Sequence, residues 1–248
     1  MKKIFLTSSP FGPLDNSRPV SGFDTMNSLP ENLAACWPDM ARCLVISAFP
    51  TEIDDCDEMR DSMEQSVIDA GFPIACLDIW DDRTQDFSAQ CLKTYDVVFL
   101  GGGHVPTENR FFQAIDFRES LREYEGVVIG ISAGTMNAAN IVYAQPELEG
   151  EAVDPTYSRF LYGLGLTELN ILPHYQMVRD YTLDDMRLYE DITYADSFGH
   201  TFLALPDGSY VMSEDGRETV WGEAYVISNG RCIEVCRNGE SKCVEDII

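Results

Sequence analysis

Short apolar runs alternate with helix-like stretches through the first half of the chain. The runs cover residues 2–7, 42–49, 73–80, 96–101 and 126–131. Their apolar positions are almost continuous, which is typical of parallel strands covered on both faces. The pattern therefore predicts the strands of one parallel sheet.

Helical patterns lie between these strands. Residues 54–71 carry acidic residues in the first turn and end at Gly71, as helix boundaries often do. Residues 107–126 predict a second helix, with Thr107 as N-cap and Gly126 as its end. The alternation predicts an α/β fold with a doubly wound, mostly parallel sheet, a flavodoxin-like three-layer sandwich.

The pattern changes near residue 200. Short apolar runs are now joined by Asp-Gly and Asn-Gly turns, which is hairpin chemistry. We predict a single domain over 1–248, with a sheet-and-helix core to about 205 and an antiparallel hairpin extension over about 206–248. Between them, 147–158 predicts a loop and 183–195 an acidic helix.

The net charge of the chain argues against some classes of binding partner. The chain has 42 Asp and Glu against 17 Lys and Arg, a formal net charge of −25. Such a surface repels phosphate backbones and anionic lipid, so we expect no nucleic acid and no membrane partner. An anionic substrate would need a local basic clamp. Ile4–Leu6 is too short for a secretion signal, and no run approaches the ~20 apolar residues of a membrane span.

The cysteines carry no metal-binding pattern. Eight cysteines are scattered without any C-x-x-C pair, and the chain has only three histidines. We expect free thiols in a cytoplasmic protein, and neither a metal nor an organic cofactor. The sequence leaves monomer and homodimer open.

The strongest chemical signal is Gly130-Ile131-Ser132-Ala133-Gly134. It matches the G-x-S-x-G nucleophile elbow, with a strand before it and a small-residue helix start after it. In such a turn Ser132 would be the nucleophile, and the Ala133 N–H would point to the developing oxyanion.

The glycines at 101–103 follow another predicted strand. They do not form a phosphate-binding P-loop, because no Lys-Ser/Thr follows, and Pro106 breaks the G-x-G-x-x-G spacing. A second oxyanion N–H, from Gly102, fits better, because adjacent parallel strands deliver both loops to one edge. The alternative is a tight turn that requires positive φ.

A serine nucleophile needs a base. His174 follows the apolar run LNILP, whereas His104 follows the glycine loop. By position alone these two are close to equivalent. His200 lies in a connection before a strand, where a surface or capping role is expected.

The glycine loop, GISAG, ILPHY and the later LPDG together resemble the serine peptidase family of dipeptidase E and cyanophycinase. That family has a class-I glutamine amidotransferase-like fold. The resemblance implies Ser132 as nucleophile, His174 as base and Asp207 as the residue that orients the base. Without it, Pro206-Asp207-Gly208 would also read as an ordinary turn. The resemblance further implies a small peptide substrate.

The segment after the glycine loop departs from dipeptidase E-like sequences, which usually carry Asn there. Here Gly103 and His104 would border the substrate, and a preference for an amino-terminal aspartyl residue is in doubt. An aspartyl side chain would need a guanidinium partner, for which Arg179 and Arg187 are the candidates. Either arginine could instead pair with nearby acids.

Three functions compete. The first is a dipeptidase E-like exopeptidase that uses Ser132, His174 and Asp207. The second is a cyanophycinase-like or amidohydrolase activity, although amidotransferases of this fold use cysteine at the elbow. The third is a catalytically idle binding or regulatory protein, which the altered loop after Gly103 would suit.

Overall fold

A computed structural model describes residues 2–11 and 22–248. The strands are β1 Lys3–Thr7, β2 Ala41–Ile46, β3 Ile74–Trp80, β4 Val97–Leu100, β5 Val127–Ile131, β6 Ile141–Tyr143, β7 Phe160–Tyr162, β8 Asn170–Leu172, β9 Thr182–Leu183, β10 Met186–Arg187, β11 Thr201–Ala204, β12 Tyr210–Glu214, β13 Arg217–Trp221, β14 Ala224–Ser228, β15 Arg231–Cys236 and β16 Ser241–Cys243. The helices are α1 Leu29–Ala34, α2 Ile53–Asp69, α3 Ala89–Leu92, α4 Val105–Ala114, α5 Phe117–Arg122, α6 Ala133–Asn137, α7 Tyr175–Val178 and α8 Tyr194–Asp196, with a π-helical segment Leu188–Thr193 and a 3₁₀ turn Val244–Asp246.

The main sheet has eight strands in the order β16-β13-β12-β1-β5-β4-β2-β3. The strands from β1 to β3 pair in parallel, whereas β12, β13 and β16 join antiparallel beyond β1. This mixed, mostly parallel sheet confirms the predicted α/β fold class.

Neighbouring residues of the central strands enter opposite apolar layers. Ile4 and Leu6 pack into one layer, while Phe5 between them packs into the other. Helices α4 and α5 contribute to the first layer, and α1 and α2 to the second. Because both faces are covered, each central strand reads as a continuous apolar run.

A second sheet has the order β15-β14-β11-β8. β8 and β11 are parallel, so the segments that follow them leave at the same edge. The chain then passes from β11 in this sheet to β12 in the main sheet through residues 205–209. The segment after residue 205 thus supplies strands to both sheets.

The helix predicted over 107–126 is wrong in three respects. It begins earlier, because Pro106 is accommodated in the first turn of α4 and His104, not Thr107, is the N-cap residue. It is broken at Asp116, whose φ of 51° is left-handed, and Phe112 stacks on Phe117 across the break. Finally, α5 ends at Arg122, before Gly126.

The helix predicted over 183–195 is also wrong in its first part. Asp184 and Asp185, with φ of 52° and 61°, form the turn of the β9–β10 hairpin, because both central residues of such a turn need positive φ. The Asp184 carboxylate accepts hydrogen bonds from the N–H groups of Gly150 and Ala152. It thereby anchors the segment 147–158, which is a loop as predicted.

Helix α2 confirms the helix predicted over 54–71. Helix α2 carries Asp54 and Asp55 in its first turn, and Gly71 follows its end with a φ of 84°. All eight cysteines are free. Within the described part of the chain, no helix is both long and apolar enough to cross a membrane.

Arg118 connects α5 to the β6–β7 hairpin. Its guanidinium donates to Gly163 O at 2.6 Å and to Asn140 Oδ1 at 2.8 Å, and it lies 4.2 Å from the centroid of the Tyr162 ring. We expect Arg118→Ala to lower the free energy of unfolding by about 2 kcal/mol or more, because it removes charge-assisted hydrogen bonds and a cation–π contact.

Urea denaturation measures this change. The matched control is Arg122→Ala on the same helix, where the side chain is 71 % exposed and pairs with Glu119. It should leave the free energy of unfolding nearly unchanged, because an exposed ion pair contributes little. Equal losses in the two variants would contradict a special role for Arg118.

Candidate active site

Ser132 lies in a strained turn between β5 and α6, with φ 50° and ψ −110°. Both flanking glycines are required by close packing. A Cβ at Gly130 would lie 2.9 Å from Thr135 Cα, and a Cβ at Gly134 would lie 2.4 Å from Leu100 O. The turn therefore has the steric form of a nucleophile elbow.

The elbow is fixed to the end of β1. The Ser132 N–H donates to Ser8 O at 3.2 Å, and Thr135 Oγ1 donates to Thr7 O at 2.7 Å. Thr7 Oγ1 in turn donates to Gly130 O at 2.7 Å. These bonds hold the backbone around Ser132 in a conformation that an isolated chain would rarely adopt.

The glycine loop is shaped by close approach and not by positive φ. None of the glycines at 101–103 has a left-handed backbone. A Cβ at Gly101 would lie 2.7 Å from Ile46 O, and a Cβ at Gly103 would lie 2.7 Å from Ala48 Cβ. Gly102 instead faces the elbow, where a Cβ would lie 3.6 Å from Ser132 Cβ. The two loops thus meet at one edge of the sheet.

Ser132, His174 and Asp207 form a continuous hydrogen-bonded chain. His174 Nε2 lies 2.6 Å from Ser132 Oγ, and His174 Nδ1 lies 2.6 Å from Asp207 Oδ1. Ser132 and His174 are partly exposed, whereas the Asp207 side chain is fully buried. The geometry matches that of a nucleophile, a base and a buried carboxylate that orients the base.

The second sheet brings His174 and Asp207 together. His174 follows β8 and Asp207 follows the parallel strand β11, so both leave the same edge. The N–H groups of His174 and Tyr175 approach Leu205 O at 3.4 and 3.3 Å. His174 itself has a φ of 116°, a strained backbone that directs its ring toward the elbow.

Two polar residues that sequence reasoning missed hold Asp207. Ser8 Oγ donates to Asp207 Oδ1, and Gln176 Nε2 donates to Asp207 Oδ2, each at 2.7 Å. Burial by itself raises the pKa of Asp207, but the bonds and charge of His174, with Ser8 and Gln176, outweigh burial and hold that pKa below its ordinary value. The only sequence signal was the position of Ser8 directly after the first strand.

The other two histidines face elsewhere. His104 Nδ1 lies 2.8 Å from Thr107 Oγ1, and its Nε2 lies 2.8 Å from Glu151 Oε1. The His200 ring stacks on Phe160 with centroids 4.4 Å apart. His174 is therefore the histidine that the fold brings to Ser132.

The two candidate arginines pair with neighbouring acids. Arg179 Nε lies 3.2 Å from Asp180 Oδ2. Arg187 contacts both carboxylate oxygens of Asp191, at 3.0 and 2.6 Å. Both arginines are largely exposed, and neither lines the cavity next to Ser132.

A cavity of about 300 Å³ opens beside Ser132 and His174. Gly103 lies at its wall, together with Glu147, a residue that no sequence pattern had singled out. Within residues 2–11 and 22–248, no group of three or more His, Cys, Asp or Glu side chains could hold a metal ion. The reactive groups that the fold brings together are the Ser132 hydroxyl, the His174 imidazole and the Asp207 carboxylate.

Gly134→Ala tests the packing of the elbow. Because the new Cβ would lie 2.4 Å from a backbone oxygen, we expect a loss of about 2–3 kcal/mol in unfolding free energy. Gly102→Ala is the matched control, since its Cβ would make only ordinary contacts at 3.6 Å. It should stay within about 1 kcal/mol of the wild type. Similar stabilities for both variants in urea denaturation would refute this account.

Comparisons with known proteins place the chain. The sequence model of peptidase family S51 matches residues 46–220. A search of curated protein sequences found no significant match.

Among solved structures, the chain is similar to a peptidase from an acI-B1 Actinobacterium, with a TM-score of 0.61 and 15 % identity over 98 % of this chain and 96 % of the other. It is also similar to a putative peptidase E protein from Listeria monocytogenes EGD-e, with a TM-score of 0.50 and 15 % identity over 95 % and 98 % of the two chains. At such identities the structures support the fold alone, which is α/β with a mixed, mostly parallel central sheet.

The family model covers well over half of the chain and includes the elbow, the His174 strand end and the Asp207 turn. This chain therefore belongs to peptidase family S51, the serine peptidase family of dipeptidase E and cyanophycinase.

Proposed function

We propose that this member of the S51 family hydrolyses short peptides as a dipeptidase E-like exopeptidase, with Ser132, His174 and Asp207 as its catalytic triad. The observation that carries the proposal is the unbroken chain of 2.6 Å contacts from Ser132 Oγ through the His174 ring to Asp207 Oδ1. A base must lie within about 2.6–3.2 Å of the proton it abstracts, and both contacts meet that requirement.

In this mechanism Ser132 Oγ attacks the scissile carbonyl carbon while His174 Nε2 takes the hydroxyl proton. His174 then gives that proton to the leaving amine, the C–N bond breaks, and an acyl-enzyme ester remains on Ser132. Water repeats the cycle with the same base and releases the acid product. Asp207 accepts the Nδ1–H of His174, keeps the correct tautomer and stabilises the imidazolium.

The N–H groups of Gly102 and Ala133 would stabilise the oxyanion. Both flank Ser132, and across the described residues neither donates to a protein acceptor. The Gly134 N–H donates to Gly101 O at 2.9 Å, which fixes the two loops relative to each other. Each oxyanion donor would lower the barrier by on the order of 3 kcal/mol.

The size of the cavity supports a class of substrate, and the free cysteines support a cellular compartment. A cavity of about 300 Å³ is at the small end of ligand pockets, which favours short peptides over protein chains. The eight free cysteines support a reducing compartment, and we infer the cytoplasm.

A catalytically idle protein is the second candidate, because the loop after Gly103 departs from its relatives. In the structure, however, His104 is bound by Thr107 and Glu151 and leaves the contact between Ser132 and His174 undisturbed. An intact triad favours turnover.

Ser132→Ala should reduce kcat/KM on a hydrolysed dipeptide by on the order of 10⁶-fold, because the nucleophile is lost. The fold should persist, since the side chain is small and partly exposed. A fluorophosphonate should label the wild type once per chain, with the modified peptide containing Ser132.

The exposed Ser158 supplies the control. Ser158→Ala should retain both labelling and turnover. A Ser132→Ala protein that is still labelled, or still active, would exclude the mechanism, and an unlabelled wild type would favour the idle protein.

Asp207→Asn should lower kcat by about 10⁴-fold with little change in KM, because the imidazole loses the partner that fixes its tautomer. Asp180→Asn, which removes a carboxylate that is 85 % exposed, is the control and should retain full activity. Equal activity in the two variants would contradict the triad.

The same variant tests the lowered pKa of Asp207. A carboxyl group with a depressed folded-state pKa contributes stability above its unfolded pKa of about 3.9, and this contribution is lost as pH falls through the folded value. The difference in unfolding free energy between wild type and Asp207→Asn should therefore shrink as pH falls below about 4. A difference that stays the same from about pH 5 down to about pH 2 would contradict the lowered pKa of Asp207.

A further inference from the structure

We propose that Glu147 determines specificity by binding a cationic nitrogen of the peptide substrate, either its amino-terminal ammonium or the side chain of a lysine or arginine. The inference rests on the proposed peptidase function. It predicts a preference for cationic substrates in place of a preference for an anionic aspartyl residue.

The charges around the cavity carry the argument. Among the described residues, Glu147 is the only carboxylate in the wall of the cavity that holds Ser132 and His174, and no lysine or arginine lines it. With the residues that the structure describes, the Glu147 carboxylate forms no ion pair and no hydrogen bond. An anionic side chain entering this cavity would meet a carboxyl group and no compensating cation.

The arginines that could have reversed this balance are engaged elsewhere. Arg187 makes a two-point contact with Asp191, and Arg179 pairs with Asp180. Neither contributes to the cavity wall. The described arginines nearest in sequence to His174 therefore supply no clamp for an aspartyl substrate.

The backbone of Glu147 is held in place by Glu151. Glu151 Oε2 accepts the N–H groups of Glu147 and Leu148 at 2.9 and 3.0 Å. Glu151 Oε1 contacts His104 Nε2 at 2.8 Å. The loop that presents Glu147 is thus tied to the first turn of α4, directly after the glycine loop that faces Ser132.

Apart from Gln145, the remaining walls of the cavity are mostly apolar. They include Met136, Val178 and Leu188, together with Tyr181, which is 49 % exposed. A single carboxylate in an apolar wall recognises a cation attached to an aliphatic stem, since the stem packs while the charged end pairs.

Charge at Glu147 is unfavourable without a partner. The residue as a whole is exposed, but crowding of its carboxyl group by the protein, with the nearby Glu151 carboxylate, raises the pKa of Glu147 above its ordinary value. A bound cation would favour the charged carboxylate, and the net charge of −25 draws cations to the protein.

The test compares Glu147→Gln with the wild type on matched dipeptides. In the first pair, one dipeptide has lysyl and the other has norleucyl in the first position. In the second pair, one dipeptide has a free amino terminus and the other has an acetylated one. An aspartyl dipeptide serves as the anionic reference. Glu149→Gln is the control, because it removes the same charge from an exposed residue of the same loop.

We expect the wild type to prefer the cationic member of at least one pair and to disfavour the aspartyl peptide. Glu147→Gln should lower that preference in kcat/KM about tenfold, mainly through KM, and Glu149→Gln should leave it unchanged. A loss confined to the lysyl–norleucyl pair identifies a side-chain cation. A loss confined to the pair with free and acetylated termini identifies the amino terminus.

If wild type and Glu147→Gln hydrolyse the dipeptides with the same ratios of kcat/KM within each pair, this inference is overturned and the peptidase function stands. Absence of all hydrolysis and of Ser132 labelling would instead overturn the peptidase function. Calorimetric binding of the lysyl and norleucyl dipeptides to Ser132→Ala, with and without Glu147→Gln, then decides the role of Glu147. Equal affinities in the two backgrounds would refute it.

Discussion

The buried carboxylate of Asp207 is the interaction on which the site depends. It lies in the turn where the chain leaves the second sheet and enters the main sheet. It is hydrogen-bonded by the Ser8 hydroxyl, which follows β1 of the main sheet, and by the His174 ring and Gln176, which follow β8 of the second sheet. A charged group so deeply buried persists only when it is fully hydrogen-bonded. The same bonds therefore satisfy the carboxylate, orient the His174 ring and connect the segments that follow β1 and β8.

The Ser132 side of the candidate site depends on packing of a different kind. The turn at Ser132 is held by backbone contacts to the end of β1 and by the absence of side chains at Gly130 and Gly134. No charge is involved, so this half is rigid for steric reasons. The imidazole then joins a rigid elbow to a carboxylate held by hydrogen bonds, and its own strained backbone at φ 116° shows that its position is imposed by the surrounding structure.

Sequence patterns predicted what depends on local periodicity. The continuous apolar runs identified the parallel strands because residues such as Phe5 and Leu6 enter opposite layers. The break at Asp116 could not be predicted, since the stacking of Phe112 on Phe117 that accompanies it is tertiary. His104 and His174 were equivalent by position alone. The contact that separates them is Glu151, which lies 47 residues after His104. Glu147 had no local signature, because its relevance comes from the cavity that it lines.

The steric demands of the elbow fall on the glycines on either side of Ser132. Leu100 O excludes any side chain at residue 134, and Thr135 excludes one at residue 130, whereas the Oγ of Ser132 forms its hydrogen bond with His174 Nε2. Oxygen could give way to sulfur there while every backbone contact stays in place. A cysteine at residue 132 would thus fit the same scaffold, so that a change of nucleophile would need no change of architecture.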